Sequence, residues 1–295
     1  PRDDDPIAAL ASGPPPAGVS VIRVSGPNIF SLLESLFPEP PKNWPERKAV
    51  YTAVLTKDGD TLDRSLGLKF SAPRSFTGED TLELHCHGGN YIVKSLLERL
   101  YGFGVRAALP GEFTKRAFLN GKMDLSAAEG VHDLVTAGSH QQWQAARYLA
   151  EGGLKHQIEA IRTTLLEAMA LFEARIDFPD EGDTADVGLQ LALDKVNQVK
   201  VQAEQLLDSY QSGKIAQEGM RIVFVGPPNS GKSTLLNRLI NEDRAIVTDV
   251  PGTTRDYIEV PCLIEGRLCR IFDTAGVRDT EDQVEKMGVQ ATLRL

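Results

Sequence analysis

Arg221-Ile-Val-Phe-Val-Gly-Pro-Pro-Asn-Ser-Gly-Lys-Ser233 decides how the last part of this chain is read. Arg221 to Val225 is a short apolar run suited to a buried parallel strand. Thr234 to Ile240 carries a helical pattern. Between them, Gly226 to Ser233 fits G-x-x-x-x-G-K-S/T in full. Gly226 and Gly231 let the backbone curl until its N–H groups face phosphate oxygens. The helix that follows turns its positive end to the same anion. Lys232 places a cation on the β- and γ-phosphates, and Ser233 offers a hydroxyl to Mg2+. Ser230 and Thr234 stand on either side as further nucleotide contacts.

Two later runs agree with a nucleotide site. Leu268 to Phe272 reads as a strand leading into Asp273-Thr-Ala-Gly276. A carboxylate there can hold Mg2+ through water, and Gly276 frees the chain to follow a γ-phosphate. Thr274 and Ala275 lie between them and share the site. Upstream, Gly252-Thr-Thr-Arg-Asp256 is a polar loop. A threonine in it, Thr253 or Thr254, can ligate Mg2+ and release it when the γ-phosphate leaves. The base-reading Asn-Lys-x-Asp run of GTPases does not occur in the sequence, so GTP over ATP rests on the switch-like runs. Residues 218–295 are expected to be the first part of a truncated P-loop, Ras-like GTPase domain, opening a doubly wound α/β fold.

Hydrophobic residues make up 41% and charged residues 25% of the 295, a globular balance with room for more than one core. No apolar run approaches the roughly 18 residues of a membrane-spanning helix, so no membrane role is expected. The net charge of −9 gives no global attraction for nucleic acid. An RNA substrate would need a local basic surface, which Lys115, Arg116 and Lys122 could supply, or a partner; a plain solvated face is the better reading of those three. Cys86, Cys262 and Cys269 lack metal spacing and read as reduced thiols. The chain opens on Pro1 with Asp3 to Asp5 following, neither a secretory signal nor a basic transit peptide. A bacterial cytoplasm is expected, with the mitochondrial matrix as the alternative. Helical character up to Leu295 and the absent Met suggest a cut or processed chain.

Residues 1–120 alternate strand and helix signals and are expected to form an α+β domain. Val19, Val21 and Arg23 share one face of an extended run, and Ser20, Ile22 and Val24 the other. Ala49 to Leu55, Leu66 to Phe70 and Thr81 to His87 read as strands. Ile29 to Phe37, Asn90 to Leu100 and Gly111 to Leu119 read as helices. His85 and His87 share a strand face with Glu83, which admits a metal, but buried or hydrogen-bonded histidines are the better reading. Residues 121–217 read as the first half of a helical domain. Ser126 with Glu129 has the form of a capping box. Ile158, Ile161, Leu165, Met169, Phe172 and Ile176 form one helical stripe; Val196, Val199, Ala203, Leu206 and Tyr210 form another. Both are expected to face a core, on an antiparallel hairpin parted by Pro179 and a solvated acidic loop, Asp180 to Asp186.

Taken together, the motifs resemble the MnmE (TrmE) family of tRNA-modification GTPases. At the back these are Gly226-x-Pro-Asn-x-Gly-Lys-Ser233, Thr248-Asp-x-x-Gly-Thr-Thr-Arg-Asp256 and Asp273-Thr-Ala-Gly-x-Arg278. At the front they are Val21-Ile-Arg-Val-Ser-Gly26, Phe76-Thr-Gly-Glu-Asp80, Leu82-Glu-Leu-His-Cys-His-Gly-Gly89 and the run from Gly111 to Leu125. The front motifs decide the family, since many GTPases share the switch runs.

The resemblance implies a folate-binding N-terminal domain that also forms the homodimer, and a helical domain into which the GTPase domain is inserted. It implies action with the flavoprotein MnmG on the C5 position of the wobble uridine, U34, of tRNA. The one-carbon unit would come from a 5,10-methylene or 5-formyl tetrahydrofolate. GTP hydrolysis would be assisted by K+ and by G-domain dimerisation. Asn229 and Thr248 match K+ positions; Ser233, Thr254 and Asp273 match Mg2+ positions. Val277 stands where Ras-like enzymes carry a water-orienting glutamine, and Glu285 matches the glutamate that takes that role. With Asn229 and Thr254 it makes up the expected catalytic set. Arg23, Glu83 and Lys122 match folate-contacting positions, a cation for the glutamate tail and a carboxylate for the pterin edge. An ion pair on a sheet face would also explain Arg23 and Glu83. The family's C-terminal Cys motif has no counterpart among the three cysteines. Two other functions fit parts of the chain: a GTP-gated assembly or ribosome-associated switch, and a folate-dependent transferase with a regulatory nucleotide domain. A folate pocket in the first 120 residues separates the first of these from the leading reading.

Overall fold

The structure, a computed structural model, describes residues 5–177, 182–224, 231, 234–235, 238, 258–264 and 266–273. The chain separates into two compact units, Pro1–Ala128 and Glu129–Leu295.

The first unit is built on one sheet. Its strands are β1 (Ile7–Leu10), β2 (Ala17–Ser25), β3 (Val50–Leu55), β4 (Thr61–Phe70), β5 (Thr81–Gly88) and β6 (Arg106–Ala107). They lie in the order β3-β4-β5-β2-β1-β6. Every pairing is antiparallel except that of β1 with β6. The alternation in β2 and β5 sorts the two faces as the sequence predicts. Ile22, Val24, Leu82, Leu84 and Cys86 point into the core and are buried. They meet Ile29 and Phe30 of α1 (Ile29–Leu32) and Val93, Leu96 and Leu100 of α2 (Asn90–Tyr101) in one apolar cluster. A third helix, α3 (Glu112–Leu119), follows the left-handed Gly111.

Three details differ from expectation. The helix expected over Ile29 to Phe37 stops at Leu32, and Glu34–Leu36 continues as a single 3-10 turn. Leu33, Leu36 and Phe37 are all buried, so the chain follows the core rather than a 3.6-residue repeat. β4 starts at Thr61, well before Leu66. β1 and β6 had no sequence signal, because four and two residues carry no readable period. On β4, Gly67 leaves room for the Trp44 ring, which a Cβ there would overlap.

Helix α4 (Leu125–Thr136) starts just before the boundary between the units. Its cap is Asp124, not Ser126. The Asp124 carboxylate accepts from the Ala127 N–H at 2.9 Å and from the Ser126 hydroxyl at 2.6 Å, so Ser126 is spent as a donor.

The second unit continues with α5 (His140–Ala150), α6 (Gly153–Asp177) and α7 (Gly182–Glu218). α6 and α7 pack together, and Lys195 reaches Glu167 across them at 2.5 Å. Helix α7 already runs at Gly182, so most of the acidic stretch expected as a loop is helical; residues 178–181 lie outside the described ones. The apolar stripes are largely exposed rather than core-facing. Ile158, Leu165, Met169 and Ile176 on α6 and Val196 and Tyr210 on α7 all face solvent, while the small Ala168 and Ala192 are buried. The α6–α7 contact covers a narrow seam, and α5 packs against both helices without closing over these residues.

A three-stranded sheet follows: β7 (Met220–Val223), β8 (Ile258–Ile264) and β9 (Arg267–Asp273), in the order β7-β9-β8. β7 and β9 are parallel, and β8 runs antiparallel to β9. Cys262, Cys269 and Ile271 form its buried core, with Ile222, Phe224 and Ile264 packed against it. Mixed sheets and helices thus make up a multidomain α/β chain, as expected.

Candidate functional site

On the face of the first sheet opposite the core, the register places Arg23 of β2 directly across from Glu83 of β5. Arg23 donates through Nε to Glu83 Oε1 at 2.8 Å, and its Nη2 lies 2.7 Å from the same oxygen. The guanidinium stands over the Phe76 ring at 5.3 Å and the Phe113 ring at 5.6 Å. Two aromatic faces and one carboxylate therefore fix a half-buried cation in place. Lys122 donates to the Pro73 carbonyl at 2.9 Å, and its stem lies beside Gly78. The segment that holds Lys122 is thus the one that brings Phe76 to Arg23. Of the three expected folate contacts, Arg23 and Glu83 touch one another, and Lys122 is tied to the same loop.

The two histidines face different carboxylates. The His87 ring Nδ1 lies 2.7 Å from Asp63 Oδ1, and the His87 backbone N–H donates to Asp63 Oδ2 at 2.9 Å. Burial works to raise the Asp63 pKa, but the bonds from His87 and from the Arg64 backbone lower it on balance. His85 Nε2 stands 3.9 Å from Glu83. Among the described residues, no group of three or more His, Cys, Asp or Glu converges as a metal site. Cys86, behind this strand, is pushed up to about 11 by burial and by the Asp63 charge, so it stays a thiol.

Arg116 is not part of a basic surface. Its side chain is 4% exposed and binds Glu79 at 3.0 Å, Glu112 at 3.1 Å and the Asp5 carbonyl at 2.6 Å. Glu112 also accepts two bonds from Arg106 and one from the Leu109 N–H. The Arg106 bonds, opposed by burial and helped by Leu109 and Arg116, hold Glu112 at about 2. Glu79 further accepts from the Ser25 hydroxyl at 2.8 Å, at the end of β2 that carries Arg23. This network missed by the sequence reading fixes the rim of the Arg23 site. Its signal was the run of charges in the Phe76 to Asp80 and Gly111 to Leu125 motifs.

In the second unit, β7 leads toward the phosphate-loop sequence and lies parallel and adjacent to β9, whose last residue is Asp273. Gly231 has φ of +87°, a conformation that L side chains rarely adopt. Its carbonyl accepts from the Leu235 N–H at 2.9 Å, so a helical turn starts at this point, through Thr234 and Leu235. The strand, the left-handed glycine and the helix start are the parts a phosphate loop needs. Asn229, Ser230, Lys232, Ser233, Thr248, Thr253, Thr254, Thr274, Ala275, Gly276, Val277 and Glu285 lie outside the described residues. No helix among the described residues is long and apolar enough to cross a membrane.

Residues 6–122 match the family model described as "GTP-binding protein TrmE N-terminus", and residues 125–292 match that of the MnmE helical domain. Three relatives carry the name tRNA modification GTPase MnmE. That of Natranaerobius thermophilus is 44% identical over 98% of this chain and 64% of its own length. That of Hyphomonas neptunium is 45% identical over 98% of this chain and 66% of its own. That of Thermotoga maritima is 42% identical over 98% and 64%. The chain thus spans slightly less than two thirds of the length of the curated relatives it matches.

Proposed function

The chain belongs to the MnmE family, and from that premise we propose that it is part of a GTPase acting in tRNA wobble-uridine modification. The observation that carries this reading is the pairing of the two phosphate-site strands. β7 feeds the phosphate loop, β9 delivers Asp273, and the two are hydrogen-bonded neighbours ahead of a helix opened by Gly231. In this reading 1–120 is the folate-binding domain, 121–217 the helical domain and 218–295 the start of the GTPase domain. Lys232, Ser230, Gly231 and Thr234 hold the nucleotide phosphates, with Thr253, Thr274, Ala275 and Gly276 completing the pocket. Ser233, Thr254 and Asp273 would hold Mg2+, and Asn229 and Thr248 would hold K+; bound, the cations neutralise charge on the transferring phosphate. Glu285 positions the attacking water, since Val277 has no polar atom to do so.

Arg23, Glu83 and Lys122 take a tetrahydrofolate derivative, the donor of the one-carbon unit. The cation held between Phe76 and Phe113 supports this, because its position is set before any ligand arrives. A flavoprotein of the MnmG type, tRNA and a second copy of the chain are the partners. Val19, Tyr51 and Leu66, exposed on the Arg23 face of the sheet, support pairing through the first unit.

Two measurements test the reading on the full-length protein. GTP hydrolysis is expected to be faster in K+ than in Na+, and Asn229→Ala is expected to remove that difference; equal rates in the unaltered protein would overturn the K+ assignment. Calorimetry with 5-formyl-tetrahydrofolate is expected to show binding that Arg23→Ala and Glu83→Gln each weaken by tenfold or more, about 1.4 kcal/mol or above. Unchanged binding in both variants would remove the site from this face.

A further inference from the structure

Cys262 and Cys269 are directly opposite one another in the β8–β9 ladder. Residues so paired in an antiparallel sheet project from the same face. Their Cα atoms stand about 4.5 or about 5.5 Å apart, according to the kind of pair, and both values lie within the roughly 4.4–6.8 Å that a disulfide spans. The two are 0% and 4% exposed and share one small apolar cluster with Ile271. Both are thiols in this structure. Cys86 has no such neighbour: the residue across from it on β2 is Ser20.

The position of the pair gives it a consequence. β8 is the edge strand of the described sheet, so this hairpin can part without disturbing β7. In sequence its N-terminal end follows Thr253 and Thr254, and its C-terminal end is Asp273. On the proposed GTPase reading, a link between the strands would fix the spacing of the two runs that answer the γ-phosphate.

We propose that Cys262 and Cys269 form a reversible disulfide that slows nucleotide turnover by stapling the hairpin between the two switch segments. The oxidant is a small-molecule disulfide. When the edge strand parts, one cysteine, as thiolate, attacks a sulfur of the oxidant and releases one thiol. The second, as thiolate, then attacks the protein sulfur of that mixed disulfide and releases the other. One S–S bond breaks and one forms, two electrons pass from the protein to the oxidant, and the two thiol protons end on the released thiols. The slowing of turnover rests on the proposed GTPase activity; the disulfide itself does not.

The test uses the full-length native protein and oxidised glutathione. Trypsin cuts after Arg255, Arg267 and Arg270, so it separates Cys262 from Cys269 unless a disulfide joins their peptides. The expected result is a linked pair of peptides, removed by dithiothreitol, together with a several-fold fall in GTP turnover that dithiothreitol restores. Cys262→Ala/Cys269→Ala is expected to keep its turnover in oxidant. Cys262→Val alone gives a second comparison if the double variant folds poorly. No linked peptide from the native protein, or a link found only after denaturation, overturns the disulfide. A linked peptide with unchanged turnover overturns the regulation. Absence of GTP turnover in the reduced protein overturns the functional reading instead, while the peptide result still decides the disulfide.

Discussion

Glu112 takes hydrogen bonds from Arg106 and Arg116 with its side chain only 6% exposed, and its charge is part of what holds α3 to the sheet. A carboxyl held at about 2 instead of its ordinary 4.5 contributes on the order of 3 kcal/mol at neutral pH. The folded form binds this proton less tightly than the unfolded chain does. The contribution is therefore present above about pH 4.5 and is lost as the pH falls toward 2. Glu112→Gln is expected to lower the stability of the first unit by roughly 3 kcal/mol at pH 7, since it removes the charge that Arg106 and the buried Arg116 share. Urea denaturation at pH 7 and pH 3 checks both points: the gap between native protein and variant should shrink at the lower pH. Charge at this scale is poorly legible from sequence. Arg23 and Glu83 could be placed on one face because a strand has a period of two. Arg116 looked like a surface cation because nothing near it in sequence announces that Glu79 will reach it.

Helices and strands were easier to foresee than what covers them. β2, β5 and α2 were legible because each alternates or repeats over many residues. The stripes on α6 and α7 were read correctly as periodic, while several of their residues are exposed in this chain, since period tells which side is apolar and not which neighbour covers it. Close contacts between elements were not legible at all. Gly130 of α4 is one: a Cβ there would lie 2.8 Å from the Leu149 Cβ and 2.9 Å from the Ala146 carbonyl on α5. Gly130→Ala is expected to cost about 1–3 kcal/mol by forcing the two helices apart, despite the better helix propensity of alanine. Gly67→Ala is expected to cost a similar amount, of order 1–3 kcal/mol, by displacing the Trp44 ring. Thermal melts followed by tryptophan fluorescence check the second, and far-UV circular dichroism the first. A rise in melting temperature in either variant would contradict the packing described.

At the scale of the whole chain, the first unit has its own sheet, its own apolar cluster and its own charged network. Residues 1–128 made alone are expected to unfold in one cooperative urea transition. A sloping, transition-free curve would show that the unit depends on the rest. The family was legible here from short motifs, which lie along β2, β5 and α3 and in the loop before β5. The motifs did not disclose the sheet order, and that order bears on biosynthesis. β1 sits inside the sheet, flanked on one side by β2, the next strand to be made, and on the other by β6, the last. A growing chain can therefore zip β2 onto β1 early, yet one edge of β1 stays bare until Arg106 and Ala107 have cleared the ribosome. During that interval Ile7 to Leu10 offers an open edge to any neighbouring nascent chain, which makes β1 a natural client of the chaperones at the exit tunnel.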